Sequence, residues 1–231
     1  VTAANPSANS SANSSAGTAG ATAPAGDALD AMFADRVVCV VRAPRLPDAQ
    51  ALCHALADGG IRTVELTFTT PDVLRHLRSA ADAVAPDVVL GVGTVVSADE
   101  ARAALDAGAR FLVTPGLRPE VAAVATAAGV PVLIGALTPT EVLQAHEAGA
   151  SAVKVFPASV MGPAYLGALH GPYPHVRLVP SGGVSAENAR DYLDHGAAAV
   201  TAGTGVVPPA TVAAGDWAEI TRRAREFVAG W

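Results

Sequence analysis

From Asp27 onward the chain alternates short β-branched runs with Ala-rich amphipathic stretches, and this alternation constrains the fold more than any other feature of the sequence. The runs are VVCVV (37–41), RTVELT (62–67), DVVLGV (87–92), RFLVT (110–114), PVLIG (131–135), SAVKVF (151–156), VRLVP (176–180) and AAAVTA (197–202). Between them lie segments such as LPDAQALCHALADGG, SADEARAALDAGA, RPEVAAVATAAG, TPTEVLQAHEAGA and SAENARDYLDHGA. Several of these end in the glycine expected just past a helix carboxyl terminus. Strands that are apolar on both faces, each followed by a helix, predict a parallel sheet with its helices outside. Eight such units close a (β/α)8 TIM barrel. An open doubly wound sheet is the alternative, but it needs a Gly-rich dinucleotide turn after the first strand, and VVRAPRLPD is not one.

The first 26 residues, VTAANPSANSSANSSAGTAGATAPAG, contain no large apolar residue after Val1 and are expected to be a disordered tail without chemistry, leaving 27–231 as the barrel domain. Hydrophobic residues make up 51% of the chain and charged residues 16%, which suits a well-buried core. The net charge of −6, with no basic patch, argues against a nucleic-acid or anionic-membrane partner. No apolar run approaches the roughly 18 residues needed to span a bilayer, and the amino terminus lacks the order of a signal peptide. Cys39 and Cys53 have neither metal-site spacing nor the number of a disulfide framework; they read as reduced core thiols of a cytoplasmic protein.

In a barrel of this type the chemistry lies at the carboxyl ends of the strands. There stands Lys154, the only lysine beside fourteen arginines, among Val153, Val155 and Phe156 in the sixth strand. An amine held among apolar residues is desolvated, which disfavours its ammonium form, and a neutral amine is a nucleophile for carbonyl carbon. The competing reading, that arginine has replaced lysine throughout and this one is incidental, would place the survivor on a helix surface rather than in a barrel strand, where an unpaired charge is costly. Glu65 interrupts the second strand in TVELTFTTP. Alone it could equally be a structural partner for an arginine; beside Lys154 it supplies the proton shuttle that imine chemistry requires. Gly-rich turns follow the seventh and eighth strands, PSGGVSAEN (180–188) and TAGTGVV (201–207), where such barrels commonly bind phosphate through backbone N–H groups. His54, His76, His146, His170, His175 and His195 show no paired ligand spacing, so no catalytic metal is expected.

With these residues in hand, the sequence resembles the class I aldolases that cleave 2-keto-3-deoxy-6-phosphogluconate and 4-hydroxy-2-oxoglutarate. The resemblance runs from about Val37 to the carboxyl terminus and rests on GGIRTVELTFTTP, GVGTV (91–95), VTPGL (113–117), VKVFPAS (153–159), GPYPHVRLVPSGGVS (171–185) and GTGVVP. It implies that Lys154 is the Schiff-base lysine and Glu65 the general acid/base. It further implies that Thr94 lies near the pyruvyl carboxylate, that Pro115 and Phe156 wall the pocket, that Ser181 contacts substrate, and that Gly182, Gly183 and Thr204 hold phosphate. Some members carry an arginine where this chain has Thr69; Arg42, at the end of the first strand, is the replacement. Ser159 stands where many phosphogluconate-type members have glutamate, and Ile134 replaces a common proline.

The resemblance implies no cofactor, a small-molecule 2-keto acid substrate with pyruvate as product, and a homotrimer. A phosphogalactonate-type aldolase, a phosphate-binding barrel isomerase or synthase without imine chemistry, and a non-catalytic barrel are the competing readings.

Overall fold

A computed structural model describes residues 25–230, with side chains from residue 28. The expected tail lies outside the described residues except for its last two, which open a helix, α1 (Ala25–Asp35), that the strand pattern does not announce. The eight strands follow in sequence: β1 (Val37–Val41), β2 (Thr63–Thr67), β3 (Val89–Gly93), β4 (Leu112–Val113), β5 (Val132–Ala136), β6 (Ala152–Val155), β7 (Leu178–Pro180) and β8 (Val200–Ala202). Helices α2 (Ala49–Asp58), α3 (Val73–Ala81), α4 (Ala98–Asp106), α5 (Pro119–Ala127), α6 (Pro139–Glu147), α7 (Ala164–His170) and α8 (Ala189–Asp194) separate the strands in turn, and α9 (Pro209–Ala214) and α10 (Trp217–Val228) follow the last.

All the strand pairs are parallel, in the order β7-β6-β5-β4-β3-β2-β1-β8. Between the two ends of that order the Ala198 N–H donates to the Leu178 carbonyl at 2.9 Å, closing the (β/α)8 barrel. Strand β4 has only two residues of regular ladder. Its bonding nevertheless runs the expected length, from the Arg110 N–H on the Leu90 carbonyl (2.9 Å) to the Thr114 N–H on the Leu133 carbonyl (2.9 Å). Pro115, which has no N–H, ends it.

Side chains alternate across each strand, so the barrel has two cores. Outward residues such as Cys39, Val64, Leu66 and Ile134 pack against the helices. Inward residues Val38, Val89, Phe111, Val113, Leu133, Ala152, Val179 and Ala199 form a second cluster with Ala28 and Met32 of α1, which therefore plugs the amino-terminal end of the barrel. With that end closed by described residues, the barrel interior opens at its carboxyl-terminal mouth.

Side chains cap the amino termini of α2, α4, α6 and α10. Ser97 accepts from the Glu100 N–H, and Glu100 returns to the Val96 N–H at 2.7 Å. Thr138 and Glu141 form a capping box on α6. Those N–H bonds, from Thr138 and Leu137, hold the Glu141 carboxyl below the usual carboxylate range. Cys39 and Cys53 are free, buried thiols. Burial pushes Cys53 up to about 12, and burial, with lesser contributions from Cys53 and Glu65, pushes Cys39 higher still. No described helix is long and apolar enough to cross a membrane.

Candidate active site

Lys154 and Glu65 point inward from β6 and β2, on opposite walls of the barrel, and meet near its centre with Nζ 3.7 Å from Oε1. Their side chains are 8% and 1% exposed. Glu65 Oε1 is fully enclosed and accepts no hydrogen bond from any described residue, and the charge that faces it is the Lys154 amine. The carboxylate reaches this position because β3 presents glycine at its inward sites. A Cβ on Gly93 would lie 1.7 Å from Oε1, and one on Gly91 would lie 2.4 Å from the ring of Phe111. The Phe156 ring centroid is 5.7 Å from Nζ.

Above this pair a cavity of about 250 Å3 opens at the carboxyl ends of the strands. Arg42, Thr94, Pro115, Lys154, Phe156, Ser181, Gly182, Gly183 and Thr204 all line it. Residues far apart in sequence, and singled out from sequence, thus share one cavity. Glu65 lies just beneath, in contact through Lys154. Thr69 is the exception: its hydroxyl is hydrogen bonded to that of Thr67 at 2.9 Å, and it does not line the cavity. The guanidinium at the mouth is that of Arg42, with Nη2 3.5 Å from Thr94 Oγ1.

Thr94 has φ of 59°, the left-handed region that a β-branched residue adopts only under constraint, at a cost of about 1–3 kcal/mol. The constraint comes from both sides: the Gly93 carbonyl before it accepts from the Phe68 N–H at 2.9 Å, and after it the Val95 N–H donates to the Val113 carbonyl at 3.1 Å and the Val96 N–H is held by Glu100. On the β4 side, Gly135 lets the Pro115–Gly116 backbone fold across the barrel mouth, since a Cβ there would meet it at 2.4 Å.

The turn after β7 presents backbone N–H groups toward the cavity mouth. Gly182 and Gly183 have φ of 86° and 82°, conformations open to glycine. The Gly182 carbonyl accepts from the Ser159 N–H and that of Gly183 from Asn188 Nδ2, both at 2.9 Å. With the carbonyls engaged, the N–H groups of Gly182, Gly183 and Thr204 donate to no described residue, which leaves them for a bound anion. Ser159 packs against this turn so closely that a Cβ on Gly183 would lie 2.4 Å from its own.

Val40, Val184, Thr201, Gly203 and Val207 also line the cavity and were not singled out from sequence. Val40 carries no signal there, since an apolar residue in a strand reads as core, and Val184 and Val207 look like ordinary apolar anchors of the turns after β7 and β8. Thr201 had one: it lies three residues before Thr204, in an alternating strand.

Known proteins are similar to this chain in sequence and fold. A family model described as "Aldolase: KDPG and KHG aldolase" matches residues 30–223. The 2-dehydro-3-deoxy-phosphogluconate aldolase of Treponema pallidum is 40% identical over 193 residues, covering 83% of this chain and 91% of the relative. The KHG/KDPG aldolase of Escherichia coli K12 is 35% identical over 195 residues, 84% of this chain and 91% of that one. Among solved structures, the KDPG aldolase of Legionella pneumophila, with pyruvate captured as a covalent carbinolamine intermediate, superposes with a TM-score of 0.78 at 30% identity, covering 84% of this chain and 95% of its own. Sequence and fold therefore agree, and the chain belongs to the KDPG and KHG aldolase family.

Proposed function

We infer that the chain is a class I aldolase that cleaves 2-keto-3-deoxy-6-phosphogluconate to pyruvate and glyceraldehyde 3-phosphate, and 4-hydroxy-2-oxoglutarate to pyruvate and glyoxylate. The observation that carries this is the amine of Lys154 facing a carboxylate oxygen 3.7 Å away that has no hydrogen bond, at the floor of a cavity whose rim offers free backbone N–H groups. The named activities of the relatives, and the pyruvate adduct of the Legionella protein, support the same chemistry.

Glu65 takes a proton from the Lys154 ammonium, and the free amine adds to the 2-keto carbon. The separation exceeds a direct hydrogen bond, so one water or a small side-chain movement carries the proton. The carbinolamine loses water with the proton supplied by Glu65, giving a protonated imine. Electrons of the C3–C4 bond then flow into the imine as the C4 hydroxyl gives its proton, through water, to the Glu65 carboxylate, leaving an enamine, the aldehyde and a protonated Glu65 that supplies the next proton. Protonation at C3 and hydrolysis release pyruvate and regenerate Lys154. Arg42 clamps the substrate carboxylate in place of the arginine absent at Thr69, with Thr94 beside it. Pro115 and Phe156 wall the pyruvyl portion, Ser181 contacts the chain of the substrate, and Gly182, Gly183 and Thr204 take the phosphate.

Incubation with pyruvate and borohydride, followed by peptide mass mapping, tests the assignment. The expected product is a reduced pyruvyl adduct on Lys154; folded protein without an adduct overturns it. A phosphate-binding barrel without imine chemistry would keep its activity in Lys154→Met, whereas the aldolase loses it.

The protein is further proposed to work in the cytoplasm, where Cys39 and Cys53 stay reduced, and to assemble as a homotrimer. Val96, Val160 and Met161 are 39%, 67% and 47% exposed in loops around the mouth, apolar surface that a second copy would cover. Sedimentation equilibrium should give three chain masses.

A further inference from the structure

We infer that Thr201 is a specificity-determining residue that accepts a hydrogen bond from the hydroxyl on C5 of the phosphorylated substrate. This rests on the aldolase reading above. Thr201 lies on β8 in register with the inward residue Val38, is 5% exposed, and lines the cavity. Its hydroxyl donates to the Pro180 carbonyl at 3.2 Å. With its one proton committed there, the oxygen presents only lone pairs, so Thr201 is fixed as an acceptor.

Its height in the barrel follows from the register. Lys154 pairs with Val179 on β7, and Thr201 bonds to the next residue, Pro180, one short of Ser181. Thr201 therefore lies on the wall beside Ser181, beneath the Gly182–Gly183 turn and three residues before Thr204, and shares the cavity with the amine of Lys154. A substrate with C2 at Lys154 and phosphate at that turn places C4 and C5 between them. The C4 hydroxyl must lose its proton on cleavage. The C5 hydroxyl keeps its proton and needs an acceptor. Ser181, also 5% exposed and with a hydroxyl bonded to no described residue, is free to serve the same region as donor or acceptor. 4-Hydroxy-2-oxoglutarate has a carboxylate at C5 and no hydroxyl there, so Thr201 has nothing to accept from it.

Because Thr201 also bridges the seam between β7 and β8, the test must separate recognition from structure. Thr201→Val should lower kcat/KM for 2-keto-3-deoxy-6-phosphogluconate about tenfold and leave 4-hydroxy-2-oxoglutarate within about twofold. Thr201→Ser, which keeps the hydroxyl, should retain the wild-type ratio. If the valine variant does not fold, Thr201→Ala, which adds no atom, carries the same expectation. As a second reading, wild type should discriminate about tenfold against the 5-deoxy analogue of the phosphorylated substrate. Equal losses on both substrates, no loss on either, or no discrimination against the analogue overturns the inference. Pyruvate trapping on Lys154 in the same variants keeps the outcomes apart: absence of trapping in wild type sinks the aldolase reading, whereas normal trapping with an unchanged substrate ratio sinks only the role of Thr201.

Discussion

Glu65 owes its position to a residue without a side chain. All three atoms nearest a Cβ built on Gly93 belong to Glu65, so the carboxylate and the glycine form one unit. Gly93→Ala should therefore drive Glu65 off Lys154 and lower kcat by about 10²–10⁴, the usual worth of a positioned acid/base. In an Glu65→Ala background the same change should cost much less stability, and a double-mutant cycle by denaturant unfolding should show a coupling of about 0.5–3 kcal/mol. Thr63, two residues earlier on the same inward face, has a buried hydroxyl with no hydrogen-bond partner among the described residues. Thr63→Val should raise stability by about 1 kcal/mol, seen as a higher melting temperature with unchanged kcat. His76 is buried on α3; desolvation first, then the charge of Arg75, pulls its pKa down against the opposing charge of Asp72. The unfolded chain then binds more protons, so the stability contribution is complete above about pH 6.5 and falls away below it. His76→Gln should flatten that part of the stability profile. Of these residues only Glu65 is legible in sequence, as a charge interrupting an apolar run. The role of Gly93 depends on a contact between strands, and an unpartnered hydroxyl looks like any other threonine.

At the scale of elements, the strands and the capped helices follow from the sequence, because each carries its own periodicity and stop signals. The capping box on α6 is written in TPTE, and Ser97 with Glu100 in SADE. Helix α1 is different. Its segment follows a tail of the same Ala-rich composition, and its purpose is visible only where Met32, with no exposed surface, meets the inward side chains of the strands. Met32→Ala should cost about 2–5 kcal/mol by denaturant unfolding, as large-to-small changes in a sealed core do, with little change in KM, since the cavity lies at the other end of the barrel. Thr69 and Arg42 teach a related lesson. Both stand near the end of a strand, but a hydrogen bond to Thr67 turns Thr69 aside, while Arg42 reaches the cavity and Thr94.

In the whole molecule, Cys39 and Cys53 lie in the layer between sheet and helices, and burial holds both thiols protonated. A thiol-reactive reagent should label them only as fast as the protein unfolds, which stopped-flow labelling across denaturant concentration can measure. Labelling faster than unfolding would show a local opening of β1 from α2. The number of strands, their parallel order, the lone lysine and the Gly-rich turns were determined by the sequence by itself, since each is a local pattern or a residue out of keeping with its neighbours. Only the tertiary structure decided the rest. That Lys154 and Glu65 meet 3.7 Å apart from opposite walls, that α1 seals one end, and that Thr201 lines the cavity while closing the β7–β8 seam all follow from barrel closure. Closure sets which inward residues face one another across the barrel, and no separation along the chain encodes that.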